Sequence, residues 1–224
     1  MSRSKFHVST NLAISFDGKI TTKDRVEMVP SKSDFKLMNL HRAKADAVIY
    51  GATTLRASEG RAVMVDSKLL PTSLRSKKKD FQPINVVLTT NPDFDLKWDF
   101  FKAPIERVFI APRSVPEKSF RRFGSLAKIL RYNETPDYPK QIIGFLKSLG
   151  CKNALLEGGG GIMFPWVEND LIDEWNVTIS PKVIGGKDAP TMVEGEGFDA
   201  SRIRSYRLMK CQRKGNDVFL VYRK

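Results

Sequence analysis

The residues best suited to ligand chemistry form one short segment in the last third of the chain. An apolar run ends at Glu157, and four consecutive glycines, Gly158 to Gly161, separate this carboxylate from a second apolar run. The pattern predicts a buried strand, a tight turn without side chains and the start of a helix. Backbone amides at such glycines can approach a ligand closely, and a helix N-terminus adds partial positive charge. The segment therefore predicts a phosphate or diphosphate site, with a merely flexible turn as the alternative.

Several other kinds of site are disfavoured by the same sequence. The glycines match neither the G-x-G-x-x-G dinucleotide fingerprint nor a P-loop, which ends in G-K-[ST]. His7 and His41 are the only histidines, and Cys151 and Cys211 stand apart with no motif around them. These observations argue against a zinc site, a zinc deaminase and a histidine-based catalytic triad. We therefore predict a protein without a metal.

The charge of the chain bears on its partners. A formal net charge of +13 predicts anionic partners such as nucleotides, phosphorylated metabolites or nucleic acid. No basic groove interleaved with aromatic residues is present, which argues against nucleic acid. No apolar run approaches the length of a membrane span, and the N-terminus does not read as a signal peptide. We expect a cytoplasmic protein that does not associate with membranes.

The elements that must position the glycine segment alternate as in an α/β domain. Strands are predicted at residues 6–14, 46–50, 84–88, 107–111, 127–130, 173–180, 206–213 and 218–222. Helices are predicted at residues 31–45, 116–123 and 138–149 and after the glycines. The first helix is expected to begin with a capping box, in which the Ser31 hydroxyl caps the helix while Asp34 reaches back. The last two strands, joined by a turn at residues 214–217, predict an antiparallel hairpin. Residues 56–82 are the least regular stretch.

Four segments in this order resemble the reductase domain of bacterial riboflavin biosynthesis and its stand-alone archaeal and fungal counterparts. They are residues 13–19, residues 40–47 with 51–55, residues 155–160, and residues 171–174 followed by 180–191. The resemblance runs from about residue 6 to the C-terminus. It implies a three-layer dihydrofolate-reductase-like α/β fold, with a mostly parallel central sheet and the C-terminal antiparallel hairpin. It also implies a single reductase domain over residues 1–224, without a deaminase domain, and a homodimer.

The resemblance further implies an NADPH-dependent reductase in riboflavin biosynthesis. The expected substrate is a pyrimidine that carries a ribosylamino 5′-phosphate. Its ribose would be reduced to a ribityl chain by hydride delivery to C1′, through the ring-opened imine. Two phosphorylated ligands agree with the positive charge of the chain, and the nicotinamide supplies the hydride without a metal.

The family pattern also assigns cofactor-binding residues. The glycine turn and the helix start would hold the cofactor diphosphate through Gly159, Gly160, Gly161, Ile162, Met163 and Phe164. Four further cofactor residues are expected at Ala13, Thr54, Ser58 and Thr90. Thr54 would contact the cofactor through its hydroxyl, and a simple helix cap is the alternative. From the positive charge we predict NADPH over NADH, with Arg113 as the residue for the 2′-phosphate.

Substrate and catalytic residues follow from the same pattern. Glu157 should point away from the cofactor phosphates, because a carboxylate repels them and strand side chains alternate between faces. Glu157 would then contact the substrate, and with Asp17 it forms the predicted catalytic pair. Arg42 matches a substrate-contacting arginine, although an arginine at a helix end also favours the helix dipole.

The segment after Thr54 departs from the family pattern. Ser58 replaces the first residue of an Asp-Asp-Pro segment, and Val65 stands where an arginine usually helps to hold the substrate phosphate. Arg61 is the nearby substitute. Val26 and Met28 stand where the family has a serine and an aromatic residue. These departures affect the substrate-binding half of the site, which is formed by the family's substrate contacts. Two alternatives therefore stay open. One is a related reductase acting on a pterin or folate, and the other is a non-catalytic nucleotide- or RNA-binding protein with the same fold.

Overall fold

The computed structural model describes residues 5–24, 26, 31–75 and 81–224. These residues form two compact units. The first unit comprises the N-terminal residues up to Phe6 and Asn39–Leu155, and the second comprises His7–Met38 and Leu156–Lys224. Met28, at the altered substrate half, lies outside the described residues. The expectation of one domain over residues 1–224 stays a prediction.

Strands and helices alternate along the chain, as the sequence predicts. The strands are β1 (His7–Ser15), β2 (Ala47–Gly51), β3 (Ile84–Leu88), β4 (Arg107–Pro112), β5 (Lys128–Tyr132), β6 (Asn153–Leu156), β7 (Glu174–Ser180), β8 (Arg207–Lys214) and β9 (Asp217–Arg223). The α-helices are α1 (Lys32–Lys44), α2 (Ala52–Ala57), α3 (Thr72–Arg75), α4 (Asp99–Lys102), α5 (Tyr138–Ser148) and α6 (Gly160–Glu168). No helix of the described ranges is long and apolar enough to cross a membrane.

The sheet of the first unit is built on parallel pairs. Its strands lie in the order β5-β4-β3-β2-β6, and β2/β3, β3/β4 and β4/β5 are parallel. The central residues of β3 and β4 are buried, as expected for strands covered on both faces. An aromatic cluster packs against them, in which the rings of Phe109 and Phe123 have centroids 4.7 Å apart. This packing holds the strands whose carboxyl ends carry several predicted cofactor residues.

The second unit combines a parallel pair with the C-terminal hairpin. Its strands lie in the order β1-β7-β9-β8. β1 and β7 are parallel, with Ala13 beside Thr178, whereas β7/β9 and β8/β9 are antiparallel. The predicted mostly parallel α/β fold with an antiparallel C-terminal hairpin is therefore confirmed.

The differences from the predicted elements are confined to short or irregular helices. The helix expected at residues 116–123 is a 3₁₀ helix over Glu117–Leu126, interrupted at Gly124, where φ is +48°. The short helices α2, α3 and α4 were not predicted, nor were the 3₁₀ turns at Ser67–Leu69 and Ala200–Arg202. Helices of three to six residues are too short to show the 3.6-residue periodicity on which the prediction depends.

Candidate active site

The predicted strand–turn–helix around the glycines is confirmed. Strand β6 ends at Leu156, and α6 begins at Gly160 with Gly159 as its N-cap. Gly159 has an extended backbone (φ −72°, ψ 167°), and no side chain caps the helix. The first amides of an α-helix usually have no acceptor within the helix. In α6 the Ile162 amide donates to the Gly159 carbonyl at 3.0 Å, so the amides that remain for another acceptor are those of Gly160 and Gly161. This geometry is suited to an anion.

Gly160 and Gly161 meet different surroundings. A Cβ at Gly160 would lie 2.5 Å from the carbonyl oxygen of Thr191 and 2.8 Å from the amide nitrogen of Glu194. The Glu194 amide also donates to the Gly160 carbonyl at 3.0 Å. A Cβ at Gly161 would meet no protein atom within 4 Å. Gly160 is thus required by backbone packing, whereas Gly161 leaves open space at the first turn of α6.

The three apolar residues after the glycines pack within the second unit. Met163 is completely buried, backbone and side chain alike, so its expected cofactor contact stays a prediction. Phe164 stacks on Phe198 with ring centroids 5.3 Å apart. Phe164 also borders a cavity of about 400 Å³ together with Lys187 and Glu194. It is the only predicted cofactor residue that lines this cavity, so the diphosphate prediction depends on the backbone of the helix start and not on the cavity.

Glu157 follows β6 directly, and its charge acts on the carboxyl group of Asp34, which the sequence assigned to a helix cap. The Ser31 hydroxyl accepts a hydrogen bond from the Asp34 amide at 3.1 Å, so the predicted cap by Ser31 is confirmed. The prediction that Asp34 reaches back to complete the capping box was wrong. Its side chain points into the second unit, where the residue is 3% exposed.

The surroundings of Asp34 disfavour a charge. Burial raises the pKa of Asp34, a hydrogen bond with the Thr178 side chain lowers it, and the carboxylates of Asp217 and Glu157 raise it further. The net effect is a raised pKa. Sequence reasoning missed this residue because the capping-box spacing already explained an acidic side chain there. The raised pKa marks Asp34 as a candidate functional group.

Asp17, the other predicted catalytic residue, holds a turn. Its two carboxylate oxygens accept hydrogen bonds from the amides of Ile184 at 3.2 Å and Gly185 at 2.7 Å. A side-chain hydrogen bond with Ser15 and these amides lower the pKa of Asp17 to about 2. Asp17 is therefore an ionised turn anchor near neutral pH, and its catalytic role stays a prediction.

Three predicted cofactor residues lie at one edge of the first unit. Thr54, Thr90 and Arg113 follow the carboxyl ends of β2, β3 and β4, which are neighbouring parallel strands. The carboxyl edge of an open α/β sheet is where such folds bind ligands. Thr90 and Arg113 are exposed there. Thr54 lies inside the first turn of α2, whose N-cap is Gly51, so the alternative that Thr54 caps this helix was wrong.

The segment after Thr54 that departs from the family pattern, residues 58–65, has a buried part and an exposed part. The Ser58 hydroxyl donates to the Leu55 carbonyl at 3.0 Å. The Arg61 side chain is 77% exposed and lies 3.9 Å from Glu59. Val65, at the position where the family has an arginine, is buried, and its amide donates to the Gln82 side chain at 2.7 Å. Of these positions, only Arg61 presents a cation to solvent.

Two predicted contacts remain open. Arg42 lies in the last turn of α1, where a cation also stabilises the helix dipole. Ala13 is half-buried on β1, beside Thr178 of β7. Both stay predictions.

Comparison with known proteins decides the family. The profile of the RibD C-terminal domain matches residues 6–220, which is nearly the whole chain. The chain belongs to the RibD C-terminal domain family. This membership confirms the resemblance inferred from the four sequence segments.

Relatives and solved structures agree with a RibD C-terminal domain. The 2,5-diamino-6-ribosylamino-4(3H)-pyrimidinone 5′-phosphate reductase of Archaeoglobus fulgidus is 27% identical over 218 residues, which cover 97% of each chain. RibD of Acinetobacter baumannii is similar in structure, with a TM-score of 0.76 at 18% identity. That match covers 100% of this chain and 59% of that RibD chain, so the chain spans less than two thirds of its length. Dihydrofolate reductase of Enterococcus faecalis, solved with NADP(H), has a TM-score of 0.55 at 12% identity and coverage of 98% and 96%. The predicted dihydrofolate-reductase-like fold is thus confirmed.

The Asp17 contacts generate a prediction about pH. A carboxyl group whose pKa is lowered by folding contributes stability above its unfolded pKa and loses it as the pH falls through the folded value. The Asp17→Asn variant should therefore unfold at lower temperature than the wild type at pH 7. The difference should shrink as the pH falls from about 4 towards 2. Thermal unfolding followed by circular dichroism between pH 2 and 7 measures it. Asp24→Asn, at an exposed turn position, is the control. A deficit of equal size at every pH would contradict the anchoring role.

Proposed function

We propose that this protein is an NADPH-dependent reductase that converts the ribosyl group of a ribosylaminopyrimidine 5′-phosphate into a ribityl group. The uncapped glycine turn at the start of α6, directly after Glu157, carries the proposal. In the proposal the turn amides are the donors for a diphosphate, and the Glu157 carboxylate, turned away from it, is an acceptor for the substrate. Membership of the RibD C-terminal domain family supports the same reaction class, as does the name of the Archaeoglobus relative, a pyrimidinone 5′-phosphate reductase.

The residues at the start of α6 fit a dinucleotide diphosphate. Gly159 contributes no capping side chain, and the space beside Gly161 is open. The Gly160 and Gly161 amides and the helix dipole would therefore hold the diphosphate without a basic side chain. When bound, reduced nicotinamide would supply the hydride. Ala13 would border the nicotinamide from β1.

Glu157 would bind and orient the substrate. A carboxylate accepts hydrogen bonds from ribose hydroxyls or amino groups, and bonds to a charged acceptor are stronger than neutral ones. Fixing C1′ relative to the hydride donor lowers the barrier by orientation rather than by covalent chemistry. No metal is invoked in this scheme, and none of its steps requires the protein to change oxidation state.

Arg113 would distinguish NADPH from NADH. Its exposed guanidinium follows β4, at the edge that also carries Thr54 and Thr90. A 2′-phosphate is the anion that separates the two coenzymes, and arginine binds phosphate with charge-assisted hydrogen bonds. Arg42 and Arg61 would hold the anionic substrate. Assembly as a homodimer and a cytoplasmic location belong to the same proposal.

A related reductase acting on a pterin or folate is the second candidate. Val65 is buried where the family has an arginine, so this chain cannot bind a substrate phosphate from that position. A substrate without a 5′-phosphate would not need that arginine. Side-by-side reduction assays with the pyrimidine phosphate and with dihydrofolate separate the two candidates, because only one should be consumed.

Glu157→Gln tests the substrate contact. The variant should lose about tenfold to a hundredfold in kcat/KM, the size of a lost hydrogen bond to a charged group of about 1.5–3 kcal/mol. The assay follows NADPH oxidation with the ribosylaminopyrimidine phosphate. Glu168→Gln, at the far end of α6, is the control and should keep the wild-type rate. Wild-type kinetics in Glu157→Gln would contradict the assigned contact.

Gly161→Ala tests the diphosphate site without weakening the fold. Alanine stabilises a helix by about 0.8–1 kcal/mol relative to glycine, so the free energy of unfolding should stay equal or rise. The added methyl group occupies space proposed for the cofactor, so the Kd for NADPH should rise at least about tenfold, or about 1.4 kcal/mol. Titration calorimetry and denaturant unfolding measure the two quantities. Gly144→Ala in α5, where a Cβ also meets nothing within 4 Å, is the matched control. Unchanged NADPH affinity in Gly161→Ala would remove the proposed site.

Arg113→Ala tests the coenzyme preference. Loss of a charge-assisted phosphate contact should weaken NADPH binding by about tenfold to a hundredfold and leave NADH binding unchanged. Arg121→Ala, another exposed arginine of the first unit, is the control. Equal weakening of both coenzymes by Arg113→Ala would refute the assignment to the 2′-phosphate.

A further inference from the structure

Segment 113–115 directly follows β4 and begins with Arg113, the residue proposed for the 2′-phosphate. The Arg113 amide donates to the Tyr132 carbonyl at 3.0 Å. The amide and the hydroxyl of Ser114 both donate to the Glu134 carboxylate, at 3.2 and 2.9 Å. Segments that leave the edge of a sheet are usually more mobile than the strands, whereas this one is bonded to β5 and to the residues after it. The Arg113 side chain is therefore carried by a fixed backbone.

Two carbonyl groups of segment 113–115 are held by one guanidinium. Arg131 lies on β5, beside Ala111 of β4 in the parallel register. Its Nη2 atom donates to the carbonyl oxygens of both Arg113 and Val115. The Arg131 side chain is only 23% exposed, so these hydrogen bonds are largely shielded from water. A single side chain thus joins the two ends of the segment to the neighbouring strand.

The stability of the fold does not by itself account for the placement of Arg131. Its Nε atom is buried and has no hydrogen-bond partner among the described residues, and an unpaired buried donor is destabilising. The Glu117 carboxylate lies 3.8 Å from Nη1, which is beyond hydrogen-bond distance, and its side chain is 83% exposed. An ion pair of this kind contributes little stability. The close contacts of Arg131 are therefore directed at segment 113–115, and fixing that segment is what they achieve.

A fixed backbone favours phosphate binding by a long side chain. Arginine loses conformational freedom when it binds an anion, and a backbone that is already ordered lowers this cost. Functional groups are also placed more accurately when neighbouring residues hold them by hydrogen bonds. The Ser114 amide and hydroxyl are already bonded to Glu134, and Val115 is buried. Within segment 113–115, the exposed Arg113 side chain is thus the group that can bind a phosphate.

We propose that Arg131 is a positioning residue for Arg113. By bonding to the carbonyl groups on both sides of Ser114, it fixes the segment that presents the Arg113 guanidinium to the 2′-phosphate. Arg131 thereby increases the preference for NADPH over NADH without touching the coenzyme. The proposal rests on the coenzyme role proposed for Arg113.

Arg131→Met keeps an unbranched apolar stem and removes every donor of the side chain. The Kd for NADPH should rise about twofold to tenfold, which corresponds to the cost of ordering one flexible side chain on binding. The Kd for NADH should stay unchanged, because NADH has no 2′-phosphate. Arg131→Lys retains an ammonium donor and should give an intermediate Kd for NADPH. Titration calorimetry measures both coenzymes. Equal weakening of NADPH and NADH would overturn the proposal, because it would indicate a purely structural role.

Arg107 supplies a matched control, because it also binds main-chain carbonyls but lies at the opposite end of β4. Its guanidinium donates to the carbonyls of Phe100 at 2.6 Å and Ile105 at 2.8 Å, and to that of Ala103. Arg107→Met should lower the melting temperature and leave the ratio of the two Kd values unchanged. Arg107→Lys is compared with Arg131→Lys in the same way. A ratio that falls as much in the Arg107 variants as in the Arg131 variants would overturn the proposal.

Dependence on Arg113 is measured in the Arg113→Ala background. A residue that acts only through Arg113 has nothing left to position there, so Arg131→Met should cause no further change in the Kd for NADPH. Further weakening of the same size would overturn the positioning role, because Arg131 would then act on the phosphate itself. A coenzyme ratio lowered by Arg113→Ala but not by Arg131→Met would overturn this proposal alone. A ratio unchanged by Arg113→Ala would overturn the coenzyme role of Arg113 and this proposal with it.

Hydrogen exchange in the ligand-free protein tests the segment without the coenzyme. The amides of Ser114 and Val115 should exchange faster in Arg131→Met than in the wild type, relative to those of Phe109 and Ile110 inside β4. Arg107→Met should not change this relative rate. Unchanged relative exchange at Ser114 and Val115 in Arg131→Met would overturn the statement that Arg131 fixes the segment.

Discussion

The close approach of two backbone segments at Gly160 is the constraint on which the glycine site depends. A side chain at this position would collide with the backbone of Thr191 and Glu194, and the Glu194 amide bonds to the Gly160 carbonyl. The first turn of α6 is therefore held by the 191–194 segment and not by a capping side chain. No side chain occupies the amides at the start of α6. The 191–194 backbone nevertheless fixes the position of this turn, so its amides are oriented without a capping side chain.

The 191–194 segment is in turn held by the turn that follows β1. Asp17 accepts hydrogen bonds from the amides of Ile184 and Gly185. The Lys19 ammonium donates to the Ala189 carbonyl at 2.9 Å, and the Ile20 amide donates to the Pro190 carbonyl at 2.9 Å. Residues 17–20 thus tie down residues 184–190, which lead into the segment that packs on Gly160. The sequence makes Asp17, in the Asp-Gly turn, a candidate catalytic residue. In the structure its carboxylate anchors the segment that begins at Ile184 by two hydrogen bonds.

The reach of sequence reasoning differed between long and short elements. Strand β3 and the C-terminal hairpin were predicted because apolar runs bounded by turn residues are specific signals. The helix α2 was missed because its six residues carry too little periodicity. At the site, the glycines identified the helix start, but no sequence feature separated Gly160, which packs, from Gly161, which faces open space. The burial of Asp34 was also missed. The three-residue spacing between Ser31 and Asp34 is compatible both with a carboxylate that caps the helix and with a carboxyl group that is buried. Only the packing of β7 and β9 distinguishes these two states.

The burial of Val65 shows how a binding surface can change while the surrounding fold is retained. Val65 packs in a small apolar cluster with Ala43 and Leu70. An arginine there would have to leave the cluster or bring an unpaired charge into it, which is costly. Arg61, four residues earlier, has a side chain that is 77% exposed and only a loose ion pair with Glu59. A surface ion pair of this kind contributes little stability, so the guanidinium can exchange its partner for a phosphate at small cost. Under the proposed function, Arg61 in the loop before Val65 thus supplies the cation for the substrate phosphate in place of the buried position.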